Sequence, residues 1–258
     1  MSPEVRTERR AGALWIIVDR PAARNAMTFA MYDRLAAVCR DANADPLVKA
    51  VVLTGAGEAF VAGTDIGQFA GFTEASQALD YERRMDAWLG AIEDVRVPTI
   101  AALRGPVVGG GLAIASACDL RVAAPSARFG VPVARTLGNC FSAANLVRLS
   151  ALVGLGRVKE LVLTARLIDA QEARAIGLVS EVVAREDALE PRVAELVETL
   201  GSYAPLTLHA TKEMARRIRA RMLPDEASDL VALCYTSADF REGVRAFLER
   251  RKPAWQGH

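Results

Sequence analysis

The sequence predicts an α/β fold, on three observations. Near the N-terminus a β-rich run, a helical run and a second β-rich run follow one another. Between 97 and 118 an apolar run passes through Gly109-Gly110-Gly111 into small residues of helical character. Beyond about residue 141 the pattern is helical throughout. Strand, helix and strand in succession imply a right-handed crossover and a parallel sheet. Periodicity alone goes no further than the class.

Residues 14–19 form the first β-rich run, ended by Arg20-Pro21. Thr28 is placed to cap a helix whose apolar positions Phe29, Met31, Leu35, Val38 and Cys39 recur at helical spacing. A strand is expected over 48–54, and 73–94 reads as a helix with Tyr81, Met85, Trp88, Leu89 and Ile92 on one side. Glu82, Arg83, Arg84 and Asp86 are expected around its other, solvated side, where charge runs on helices usually lie. Strands are expected at 97–103 and 119–123, and a short loop at 126–132. Helices follow near 142–152, 155–164, 169–176, 187–200, 205–221 and 226–250, punctuated by Gly154, Gly156, Gly177, Gly201 and Pro224.

At 258 residues the chain fits one sizeable domain, or one domain with a helical appendage, and is long enough to bury a proper core. Its formal charge of +1 carries no electrostatic footprint of nucleic acid or membrane binding. Lys occurs only at 49, 159, 212 and 252, so nearly all of the basic charge is arginine, which reads as compositional bias of the coding genome, although arginines near a site could grip phosphates. No basic stretch leads into an apolar one at the start, and the longest uncharged apolar segment, around 105–118, is shorter than the roughly 20 residues of a membrane span. A soluble, cytoplasmic protein is expected. Cys39, Cys118, Cys140 and Cys234 are widely spaced, indicating neither a zinc site nor a disulfide framework.

The glycine triplet carries the first chemical signal. Glycine permits φ > 0 and close approach to the main chain. The first N–H groups of the helix that follows have no intrahelical partner and can hold an oxygen bearing negative charge. The same triplet equally suits a tight turn where a helix packs on a sheet. Residues 60–66 form a second small-residue turn just past a strand, so two amides could be aimed at one carbonyl oxygen.

These stretches resemble the crotonase (enoyl-CoA hydratase/isomerase) superfamily. The motifs that carry the resemblance are Phe60-x-Ala62-Gly63-x-Asp65-Ile66, Gly105-x-x-x-Gly109-Gly110-Gly111, Cys118-Asp119, Phe129-Gly130-x-Pro132 and Ala175-x-Gly177-Leu178-Val179, in family order. The match extends from Arg20-Pro21-x-x-x-Asn25-Ala26 to Phe247-Leu248-Glu249-Arg250-Arg251-Lys252-Pro253. The resemblance implies a crotonase-like spiral of ββα units over 1–195 and a C-terminal helical oligomerisation or lid region over 196–258. It implies that the Thr64 and Gly110 backbone N–H groups hold the thioester carbonyl of an acyl-CoA. Coenzyme A would then arrive as part of the substrate, with no prosthetic group and no metal. Arg24, Asn25, Ala26, Ala62, Asp65 and Lys252 fall at CoA-contacting positions, and a homotrimer or hexamer is implied. The segment around Tyr81 and Glu82 corresponds to one that lines the acyl pocket in many members.

The chain departs from the hydratase pattern at its acid/base positions. One glutamate lies two residues after the glycine triplet and another directly follows Phe-Gly-x-Pro; here those positions are Ala113 and Val133. Hydration of crotonyl-CoA is therefore expected to be slow, because general acid/base catalysis contributes about 10²–10⁴-fold. Three readings remain: an acyl-CoA enzyme with non-standard acid/base residues, an ordinary hydratase with a relocated carboxylate such as Glu82, or an acyl-CoA-binding pseudoenzyme. His209 and His258 fit surface or packing roles better than catalysis. Asp65 suits a structural role, holding its turn through backbone N–H groups. Arg135, Thr136, Asn139, Cys140 and Ser142 make a polar loop where altered chemistry is expected. Within it, Leu137-Gly138-Asn139-Cys140 resembles the arylhalide-CoA dehalogenase branch, with Cys140 where that branch places its nucleophilic aspartate. A helix start and Arg135 nearby would favour thiolate at Cys140, as a nucleophile or as a pocket-lining group.

Overall fold

A computed structural model of the protein describes residues 4–224 and 227–258. The chain opens with β1 (Val5–Arg10), β2 (Ala13–Val18), α1 (Phe29–Ala42), β3 (Ala50–Gly55), α2 (Ala75–Glu93) and β4 (Thr99–Leu103). There follow β5 (Pro106–Val108), α3 (Gly110–Ala117), β6 (Leu120–Ala123), β7 (Arg128–Gly130), α4 (Val133–Thr136) and α5 (Ala143–Thr164). The last part comprises β8 (Ile168–Asp169), α6 (Ala170–Ala175), β9 (Glu181–Val182), α7 (Leu189–Gly201), α8 (Pro205–Ala220), α9 (Ser228–Tyr235) and α10 (Ala238–Leu248).

The larger sheet has the order β1-β2-β3-β4-β6-β9, parallel except for the antiparallel β1–β2 edge. Its inner strands are apolar on both faces, as a parallel sheet covered on both sides requires. Trp15, Ile17, Val52, Ile100 and Val122 pack under Leu189, Val193 and Val197 of α7. Ile16, Val18, Val51, Leu53, Ala101 and Leu103 belong to the main core, shared with α1, α2 and α3. Each fully buried Ile, Leu or Val contributes about 1.5–3 kcal/mol. A smaller sheet, β5-β7-β8, stands beside the larger one.

Most expected elements are present, with instructive differences. β1 was not expected, because Val5 is its only buried residue and charge dominates the rest of this edge strand. β7 lies within the expected loop 126–132: three residues are too few to leave a period, and pairing with β5 and β8 makes them a strand. The helices expected at 142–152 and 155–164 run on as α5 but are separated by Gly154, whose φ of 78° breaks the helical path. The helix expected over 226–250 begins outside the described residues and is two helices: Ser237 caps α10 by accepting a 2.9 Å bond from Phe240 N–H. α9 packs on α2, and α10 lies against the turn 66–69. Val231, Tyr235, Phe240 and Val244 thereby join the main core. Among the described residues no helix is long and apolar enough to cross a membrane.

Candidate active site

The site forms where the two small-residue turns meet. Phe60 N–H donates to Arg104 O (2.8 Å), and Val61 exchanges bonds with the β5 strand through Pro106 O and Val108 N–H (both 3.2 Å). The 60–66 turn is thus zipped along the start of the β5–α3 turn. Gly109, at φ 54°, swings the chain into α3, a conformation costly for residues with a Cβ. Gly110 permits the close approach: a Cβ there would sit 2.3 Å from Tyr32 Oη, 3.0 Å from Thr64 Oγ1 and 3.5 Å from Thr64 N. The Thr64 and Gly110 amides are therefore neighbours, and among the described residues neither N–H meets an acceptor. Both residues line a cavity of about 990 Å³.

The same cavity is lined by Arg24, Ala26, Ala62, Asp65, Asn139 and Cys140. Ala113 and Val133, where the family resemblance places glutamates, also line it. Asn25 does not. Its side chain is fully buried, accepting from Arg20 N–H (2.8 Å) and donating to Ala56 O (2.9 Å) and Ala59 O (2.7 Å), so it clamps loops behind the cavity. Lys252 is exposed and off the cavity wall; Phe247, Arg250 and Arg251 from the end of α10 stand there instead. Arg251 is bound to Glu242 and Glu249, whereas Arg24 and Arg250 have no ion-pair partner among the described residues. Asp65 holds its turn by accepting from Gly67 N–H (2.9 Å) and Arg20 Nη1 (2.5 Å).

Cys140 reaches the cavity, where burial, neighbouring Cys234 and the Glu82 charge push its thiol well above the ordinary range. Arg135 is exposed and off the cavity wall, and the helix α5 is capped two residues later by Ser142. The thiolate needed for a nucleophile is therefore disfavoured.

Glu82 does not lie on the solvated side that its charge run predicts. It is 9% exposed, on the inner side of α2 with Ala78, Tyr81, Met85 and Leu89, and it lines the cavity. Its spacing, four after Ala78 and three before Met85, puts it within the apolar stripe, and that was the signal available in the sequence. Burial, reinforced by Asp86, pushes its carboxyl up to about 7, while bonds from Tyr235 and Ser142 hold the rise in check. Tyr235 Oη donates to Glu82 Oε1 (2.7 Å) and accepts from Asn139 Nδ2 (3.0 Å). Nothing local in the sequence marks Tyr235, which reaches the site from α9 across the tertiary fold.

Together, the two sheets and the adjacent unpartnered amides define an α/β protein with a cavity at a helix N-terminus. The enoyl-CoA hydratase/isomerase family profile matches residues 8–258, and the chain belongs to that family. It is 35% identical to a putative enoyl-CoA hydratase of Thermus thermophilus, over 92% of this chain and 95% of that protein. It is 36% identical to a crotonyl-CoA hydratase of Syntrophomonas wolfei, over 92% of both. Among solved structures it resembles a methylmalonyl-CoA decarboxylase in complex with 2-nitronate-propionyl-CoA (TM-score 0.88, 26% identity, 99% of both chains). It also resembles an enoyl-CoA hydratase/carnitine racemase of Magnetospirillum magneticum (TM-score 0.81, 32% identity, 100% of this chain and 97% of that one). The fold is the crotonase spiral, and the chain is a crotonase-family enzyme of acyl-CoA chemistry.

Proposed function

We propose that the protein forms an enolate or related oxyanion from an acyl-CoA thioester, held by the Thr64 and Gly110 amides, with Glu82 exchanging the proton at the α-carbon. The observation that supports this most directly is the pair of unpartnered amides side by side on one cavity wall. Donors aimed at developing charge in a site that excludes water are worth far more than in solution. A carboxyl that titrates near 7 is poised for general base work near neutral pH. Asp65, the other carboxyl on the cavity, is engaged by Arg20 and Gly67. One carboxyl outside any ion pair among the described residues suits proton transfer at carbon, as in isomerisation, better than addition of a water that two glutamates would hold. Arg24 and Arg250 line the cavity without an ion-pair partner among the described residues, which supports assigning the CoA phosphates to them. Exposed Leu206, Met214 and Ile218 on α8 support a homo-oligomer, consistent with a trimer or hexamer.

The test is exchange of the α-protons of a saturated acyl-CoA panel in D₂O, followed by mass spectrometry, together with thermal-shift binding. Exchange above the buffer rate is expected for the wild type. Loss of about 100-fold or more is expected for Gly110→Ala, whose Cβ would crowd Tyr32 and Thr64. Binding without exchange by the wild type would instead mark a binding protein.

A further inference from the structure

We infer that the Tyr81 hydroxyl is a third hydrogen-bond donor of the site, directed at the thioester end of the acyl group. The inference rests on the acyl-CoA reading above and adds a residue that touches substrate. Three hydroxyls form a chain: Tyr32 Oη lies 3.0 Å from Thr64 Oγ1, which lies 3.2 Å from Tyr81 Oη. Three hydroxyls own three protons, and two hydrogen bonds use two of them. The third is left at one end of the chain, or at Thr64 if both tyrosines donate to it.

Burial decides which end. Tyr32 is fully buried, its ring stacked on Trp88 at 4.8 Å, and its hydroxyl has no partner but Thr64 among the described residues. A proton left over at Tyr32 would be a buried donor without an acceptor. With Tyr32 donating, the order Tyr32 to Thr64 to Tyr81 is favoured over two tyrosines donating to one Thr64 oxygen, because bonds running in one direction strengthen one another, and the free O–H then belongs to Tyr81, which lines the cavity. Successive bonds in one direction polarise one another and strengthen the terminal donor. That donor is bonded to the side chain of Thr64, whose own amide is one of the unpartnered pair, so both present N–H or O–H to the same corner. Burial raises the Tyr81 pKa well above the ordinary tyrosine value, so the group keeps its proton and acts as a donor, not as a base. Thr64 and Tyr32 are positioning residues for it.

The experiment uses trans-cinnamoyl-CoA, a conjugated thioester whose absorption band moves to longer wavelength when its carbonyl is polarised. Wild type is expected to bind it and shift the band. Tyr81→Phe, shown to be folded, should bind within about threefold and lose a large part of the shift, and α-proton exchange should fall by about 100-fold. Thr64→Val, which keeps the amide and removes the hydroxyl holding Tyr81, should lose part of the shift, and Thr64→Ser should restore it. A Tyr81→Phe shift equal to that of wild type overturns the inference while leaving the amide pair intact. No binding, or binding with no shift by the wild type, overturns the acyl-CoA oxyanion reading and the inference together. Should Tyr81→Phe fail to fold, an undiminished shift in Thr64→Val overturns the inference by itself.

Discussion

Replacing Glu82 with glutamine should make the protein more stable at alkaline pH and remove part of its pH dependence. In the fold its carboxyl titrates near 7, against an ordinary value of 4.5, because burial disfavours the charge. The folded state therefore binds this proton more tightly than the unfolded state does. The associated stability is fully present below about pH 4.5, declines as pH rises, and is lost once pH passes about 7. At 1.36 kcal/mol per tenfold change in proton affinity, ionised Glu82 costs the fold about 3 kcal/mol. Glutamine keeps the shape and cannot ionise. Urea unfolding of both proteins, at equal concentration and at intervals from pH 5 to pH 8, isolates the group as the difference between the two curves. That difference should change by about 2 to 3 kcal/mol in favour of Glu82→Gln as pH rises. Parallel curves for the two proteins would refute the reasoning and return Glu82 to a solvated surface. The same substitution should abolish a rise in α-proton exchange centred near pH 7.

Cys140→Ala should leave exchange within about threefold of wild type, because a thiol pushed above its ordinary range is a poor nucleophile at neutral pH. Iodoacetamide should label Cys140 more slowly than glutathione under the same conditions, and bound acyl-CoA should slow it further; fast labelling would reinstate the thiolate. Ile218→Asp, on the exposed apolar side of α8, should lower the assembly state seen by sedimentation; an unchanged species would place the subunit contact elsewhere.

The sequence by itself determined the class, the family and the anchoring turns. Gly109-Gly110-Gly111 and 60–66 are legible because close backbone approach and positive φ leave a compositional mark that no longer-range contact is needed to read. The alternation of strands and crossover helices is legible for a similar reason, since burial period is a local property. Tertiary structure alone decided which polar groups face the cavity. Glu82 reads as part of a charged run, yet lies inside because α9 and the Ser142 cap close over that side of α2 and supply its bonds. Asn25 sits in a family motif, yet its amide is consumed by loops 31 and 34 residues away. Cys140 stands in a polar loop, but its reactivity depends on Cys234 and Glu82, brought near it by folding. Solvation and electrostatics act through space, so the exposure and protonation of a residue at a given sequence position follow from what the fold places around it.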